Sequence, residues 1–239
     1  MFKLLILFLF MPICSNAFIN IESLRENTKD GLNTSLKFLF NQQTGNTDRI
    51  VGSASSLNSY ENSKNEYLLI ADIQYGESFE QKDTDNGSLH LRYTRELTAA
   101  HYAELYTQYE YNRFVALNSR KLYGAGYRLK LQYFNLGIGA FNEREEILDR
   151  SNQNANRGNI YLSSSIKNKT GLEFSSIIYY QPSFKRSNDT RVILNAGLSQ
   201  SISKYISFIV EYEYAYDELP PEEINPKDTY LQFGFNLVF

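Results

Sequence analysis

Tryptophan is absent from the 239 residues, cysteine occurs once, histidine twice and proline five times. One cysteine cannot form an internal disulfide framework or a cysteine metal cluster. Scarce proline leaves long strands uninterrupted, since proline cannot donate to a ladder. Beyond residue 17 there is no apolar run of the about 20 residues that a transmembrane helix needs. No basic excess is present either: the formal net charge is −3, which gives no reason to expect a nucleic-acid partner.

Aromatic residues are abundant, with 19 Tyr and 16 Phe. A chain this rich in large apolar groups does not have the composition of a disordered one. The first residues have the pattern of an export signal. Lys3 supplies the positive end, residues 4–14 the apolar stretch, and Ser15-Asn16-Ala17 the small residues read by a signal peptidase, so cleavage is expected after Ala17. Cys14 follows Ile13, which is too large for a lipidation site, and is expected to leave with the signal. Removing residues 1–17 takes away Lys3 and no acid, so the mature chain is one unit more negative.

From residue 31 onward the sequence alternates apolar and polar residues over stretches of about ten, separated by turn residues. That length suits a tilted transmembrane strand of about 9–11 residues. Ile206, Phe208, Val210, Tyr212, Tyr214 and Tyr216 share one face, opposite Ser207, Glu211, Glu213, Ala215 and Asp217. Twelve such segments are expected: 31–43, 49–60, 66–77, 87–97, 101–113, 119–131, 133–144, 157–168, 171–182, 190–202, 205–217 and 228–239. The connections at 62–65, 98–100, 169–170 and 203–204 are short. Longer polar stretches at 78–86, 145–156, 183–189 and 218–227 alternate with them, as periplasmic turns alternate with outer loops in outer-membrane barrels.

Alternation alone also fits a soluble sandwich with its apolar face inward. The composition of the polar face favours the other orientation. It carries Lys37, Asp72, Arg92, Glu104, Glu110, Arg128, Lys130, Glu173, Arg191, Glu211 and Glu213, interspersed with Gly124, Gly126, Gly137, Gly139 and Gly234. Charged and small residues side by side suit a crowded wet lumen. The opposite face is bulky, with Tyr67, Tyr75, Tyr111, Tyr180, Tyr205 and Tyr216 near strand ends where an aromatic girdle would lie. The expected fold is an all-β transmembrane antiparallel up-and-down barrel of twelve strands. It would comprise a signal peptide at 1–17, a short periplasmic segment at 18–30 and the barrel at 31–239, with no plug or passenger domain.

The closing residues Gln232-x-Gly234-x-x-Leu237-x-Phe239 resemble the signal by which the barrel-assembly machinery recognises a final strand. A second resemblance rests on several short motifs. These are Ile21-Glu22-Ser23-Leu24-Arg25 before the first strand, Gly45-Asn46-Thr47-Asp48 in the first connection, the Asn112-Arg113-Phe114 region, and Tyr123-Gly124-Ala125-Gly126-Tyr127-Arg128. With the closing strand, they make the chain similar to domain of unknown function family 481, whose members are often labelled salt-induced outer membrane proteins. The resemblance implies an outer-membrane barrel, no agreed activity and no catalytic residues to carry over.

Candidate chemistry is sparse. An outer-membrane hydrolase acting on lipid or peptide is the alternative reading, but serine nucleophiles need an adjacent base and an orienting group. His90, between Leu89 and Leu91, is expected to face the lumen beside Arg92; His101 falls at a short turn. Glu211/Glu213 and Glu104/Glu110 could do acid–base work, yet basic residues on neighbouring strands would pair with them, Arg191 being a candidate partner for the eleventh strand. The acidic stretches around Glu77, Glu80, Asp83 and Asp85, and around Asp217, Glu218, Glu222, Glu223 and Asp228, could bind divalent cations that bridge lipopolysaccharide, or be solvated loop surface. No metal, cofactor or catalytic residue is assigned. The expected partners are outer-membrane lipid, lipopolysaccharide and the assembly machinery, and the location is the bacterial outer membrane. The function expected is that of a structural or stress-associated barrel, or of a narrow weakly selective pore; the oligomeric state is left open.

Mass spectrometry of the exported protein should find a chain that begins at Phe18. A mature form that retains Cys14 would contradict the signal reading.

Overall fold

The computed structural model describes residues 31–45, 48–148, 152–203, 206–221 and 224–237, with side chains described at all of these but 35, 37, 39, 232 and 234–237. The expected signal peptide with its cleavage site at Ala17, and the segment 18–30, lie outside the described residues.

Twelve strands follow one another in a single antiparallel sheet whose spatial order is the sequence order. They are β1 Gly31–Gln43, β2 Arg49–Asn62, β3 Asn65–Ser78, β4 Gln81–Thr98, β5 His101–Asn112, β6 Leu117–Lys130, β7 Asn135–Ile147, β8 Gln153–Lys167, β9 Leu172–Pro182, β10 Thr190–Ser201, β11 Ile206–Asp217 and β12 Lys227–Leu237. The period-2 pattern fixes their register, because a slip of one residue would turn every side chain to the wrong face. No helix among the described residues is long and apolar enough to cross a membrane.

Two long connections expected from the sequence are instead strand. The stretch 78–86 is a tight hairpin, since β3 runs to Ser78 and β4 starts at Gln81. Phe79 and Glu80 form its tip with φ of 49° and 62°. Positive φ at both central residues is what a type I′ turn requires, although Asn and Gly usually fill it. Likewise β7 continues to Ile147 and β8 begins at Gln153, which absorbs most of 145–156. These strand ends are polar on both faces, so the apolar–polar contrast is lost there although the concave row keeps its parity.

The sheet curls with its polar face inside. On a flat sheet, strands three apart are separated by about 14 Å. Yet Tyr161 on β8 donates a hydrogen bond to Glu104 on β5 at 3.0 Å, and Asn159 on β8 donates to Tyr106 on β5 at 3.2 Å. The concave face is correspondingly buried and the bulky face is not: Arg92 is 4% exposed and its neighbour Leu91 48%. Phe38 and Phe233, on the first and last strands, are 73% and 74% exposed. An apolar surface that spans the whole sheet marks contact with something other than water. Tyr60, Tyr67 and Tyr93 form a row of tilted rings at the short-turn end of β2, β3 and β4, with centroids 6.2 and 5.1 Å apart.

Glycines allow close approach on the concave side of β6 and β7. A Cβ at Gly124 would lie 2.3 Å from the Tyr106 ring, and one at Gly137 2.0 Å from Tyr161. Each tyrosine therefore lies flat over a glycine of the next strand. Gly139 is the least able to yield, because its Cβ would stand 2.4 Å from the backbone oxygen of Ala125 rather than from a side chain.

Gly139→Ala should therefore cost about 1–3 kcal/mol, the range for overpacking. Gly52→Ala, where a Cβ meets nothing within 4 Å, should stay within about 0.5 kcal/mol. Urea unfolding in detergent micelles measures both, and equal midpoints for the two variants would contradict the packing described.

Candidate functional site

The concave face of β4 to β10 carries the densest chemistry in the molecule. Arg92, Glu104, Glu110, Arg128 and Arg191 are buried there, and Glu173 is partly buried on β9. Asp72, Glu211 and Glu213 occupy concave positions of β3 and β11, where Asp72 is half-buried and the two glutamates are exposed. Lys130 is on the same face but exposed at the short-turn end. Lys37 pairs in register with Ser55, which pairs with Asp72, placing it at a concave position of β1; its side chain lies outside the described residues. Gln232 and Gly234 pair in register with Glu211 and Ile209, and Leu237 with Ile206. The side chains of Gln232 and Leu237 and the whole of Phe239 lie outside the described residues, as does Tyr205.

Three arginines and five carboxylates form one network across six strands. Arg191 on β10 donates through Nε to Asp217 on β11 at 2.8 Å, through Nη2 to Glu145 on β7 at 2.9 Å, and through Nη1 to Glu143 on β7. Arg120 on β6 donates through Nε to Glu145 at 2.6 Å and through Nη1 to Glu110 on β5. Arg157 on β8 donates through Nε to Glu143 and through Nη2 to Asp189, both at 2.6 Å. The expected pairing of Arg191 with Glu211 or Glu213 is thus corrected. Arg191 is set opposite Asp217 by the β10–β11 register, four residue pairs from Glu213, and reaches across the concavity to β7.

Toward the short-turn end the arrangement becomes sparser. Glu104 takes Arg92 at 3.8 Å and Arg128 at 3.6 Å. Arg92 lies 5.4 Å above the Tyr106 ring and Arg128 4.7 Å above that of Tyr102. Such stacking stabilises a guanidinium held away from water. His90 is buried beside them, its Nδ1 2.9 Å from the Gln108 carbonyl oxygen and its ring stacked at 6.3 Å on Tyr106. His101 contacts the Tyr127 hydroxyl at a short turn. Tyr106, Leu122, Phe141, Tyr161, Ile177, Tyr179 and Ile193 form a core cluster between the two charged zones.

Sequence reasoning missed Glu143, Glu145, Arg120, Arg157 and Asp189. Glu145 and Asp189 fell in expected loops, and Arg157 at the first residue of an expected strand. Their signal was present in period 2: Glu143 and Glu145 continue the row of Gly137, Gly139 and Phe141. Of the acidic stretches offered for divalent cations, Glu222 and Glu223 lie outside the described residues, and three other carboxylates are held by arginines. Asp83 pairs with Arg49 at 2.6 Å, Asp85 with Arg113 at 3.5 Å and Asp217 with Arg191. Among the described residues there is no group of three or more ligating side chains fit to hold a metal.

A family described as "Protein of unknown function, DUF481" matches residues 37–239. No curated protein matches. Among solved structures, a chain from a study of the in-meso crystallization of membrane proteins is similar at 13% identity and TM-score 0.42, over 85% of this chain and 81% of its own. The β domain of the Bordetella autotransporter BrkA is similar at 15% identity and TM-score 0.37, over 87% and 99%. Neither likeness is close enough to carry an argument about activity.

The network is testable through stability. Glu143→Ala removes the carboxylate shared by Arg120, Arg157 and Arg191, and breaking a buried pair in this way costs about 3–5 kcal/mol. Glu173→Ala breaks the pair with the exposed Lys167 and should cost no more than about 1 kcal/mol. Urea midpoints compare the two, and a Glu143→Ala protein as stable as Glu173→Ala would contradict the account.

Proposed function

We propose that this chain, which belongs to the DUF481 family of unknown function, sits in the bacterial outer membrane as a closed twelve-stranded barrel with a narrow, weakly selective water path through its lumen. In this reading residues 1–17 direct export and leave after Ala17. The closing residues Gln232, Gly234, Leu237 and Phe239 present the last strand to the assembly machinery. Lipid and lipopolysaccharide cover the bulky face. The sheet order supports closure, because an up-and-down sheet in hydrocarbon leaves its two edge strands unpaired unless they meet.

One observation carries the reading: the concave face is packed unequally. From β4 to β10 it is filled by the arginine network and the tyrosine layer. Around β2, β10 and β11 it bears small residues that remain half-buried, among them Ser53, Ser55, Gly197, Ser199 and Ala215. Small side chains on that wall leave room for water beside a wall that is closed by large ones. Diameter grows with strand number, so twelve strands leave space that one packed side does not fill. Charges of both signs along the lumen give weak selectivity. The carboxylates that a hydrolase would use are instead engaged by arginines, Glu104 by Arg92 and Arg128 and Glu110 by Arg120.

Planar-bilayer recording on the purified protein should show small unitary currents, and Ser55→Trp should lower them by narrowing the open wall. Absence of current in the wild type, or currents unchanged in Ser55→Trp, would overturn the pore.

A further inference from the structure

The hairpin end of the concavity holds a cavity to which the reading above assigns no ligand. Its floor is the arginine–carboxylate network: Glu110, Glu143, Glu145 and Asp217 with Arg120 and Arg191. Its sides carry Leu117, Leu122 and Ile193 beside the polar Ser88, Asn112 and Gln181, and Leu219, Pro220 and Ile224 of the connection between β11 and β12 complete the lining with Asn225 and Asp228. A concave chamber that joins apolar side chains to converging polar groups is the usual form of a small-molecule site. We propose that this cavity binds a small organic amine, a primary ammonium group carried on a compact apolar body.

The donor and acceptor inventory selects the sign of the ligand. Each nitrogen of Arg191 already donates to a carboxylate. Arg120 donates through Nε and Nη1. The four carboxylates present about 16 lone-pair sites, against about 10 N–H groups on the two arginines. Five of those N–H groups donate to the carboxylates, and the floor sets four carboxylates against two guanidiniums, so acceptors are in excess and the formal charge there is negative. An anion would meet guanidiniums turned toward other partners and four carboxylates repelling it. An ammonium group brings three donors and a positive charge to the side that has acceptors in excess. Asp217 is the accessible member, its side chain 24% exposed, while Glu110, Glu143 and Glu145 are at most 5% exposed. The ammonium group therefore approaches through Asp217, and the apolar body lies under Leu219 and Ile224. The cavity reaches from the packed wall to Ala215 on β11, and its binding is read by calorimetry, so the test does not depend on conduction.

Calorimetric titration of the full chain in non-ionic micelles tests the proposal with three probes of similar shape: 2-phenylethylamine, 3-phenylpropionate and 2-phenylethanol. The amine is expected to bind and the other two are not. Asp217→Asn should weaken the amine about tenfold, in keeping with the loss of one hydrogen bond to a charged group. Leu219→Ser, in the exposed connection, should weaken it by removing apolar contact, and this second variant carries the test if Asp217→Asn fails to fold. Glu66→Gln, at the opposite end of the concavity, should leave binding unchanged. Equal binding of the acid or the alcohol, no heat from the amine, or full affinity in folded Asp217→Asn or Leu219→Ser would overturn it.

Discussion

Arg191 holds carboxylates from two sides of a curved sheet at once, and much of the structure follows from that grip. Its guanidinium bridges β11 to β7 through Asp217, Glu143 and Glu145, so the wall between them must bend enough to bring β7 and β10 within one side chain's reach. Arg157 and Arg120 tie the same carboxylates to β8 and β6. Buried charges are tolerated only when paired and hydrogen-bonded, and removing one member leaves the others stranded in a dry site. The network therefore acts as a specification of curvature as much as a source of stability. Bulky groups then have nowhere to go but the outside.

The tyrosine layer solves a different problem on the same wall. Charged zones at either end of the concavity would leave a gap between them. Tyr106 and Tyr161 fill it by lying across Gly124 and Gly137 rather than standing upright. Their hydroxyls still reach partners, Asn159 and Glu104, as buried phenols require. Gly124 and Gly137 are thus the complement of two tyrosines on β5 and β8, while Gly126 and Gly139 let the backbones of β6 and β7 approach each other. Aromatic cover of this kind is a known device for strand glycines.

Much of this was legible in the sequence, and the part that was not has a physical cause. Alternation located all twelve strands because the residues of the convex and concave faces differ in kind over the middle of each. It failed at the hairpin end, where Asp83, Asp85 and Glu146 make both faces polar and the apolar–polar contrast is lost. The concave positions of Arg92, Glu104 and Arg191 could be read from parity alone. Their partners could not. Register determines which residues sit side by side on adjacent strands, but only the curl determines that β8 meets β5 or that β10 meets β7. Glycine was correctly taken as a sign of crowding, while the tyrosine responsible stood on another strand.

The central claim is the orientation of the two faces, and lipid quenching tests it most directly. The chain has no tryptophan, so single reporters can be placed as Leu91→Trp and Leu162→Trp on the bulky face and Ser53→Trp on the concave face. In vesicles of brominated phospholipid, the account predicts strong quenching of the first two and little of the third. Quenching of Ser53→Trp with Leu91→Trp and Leu162→Trp unaffected would contradict it.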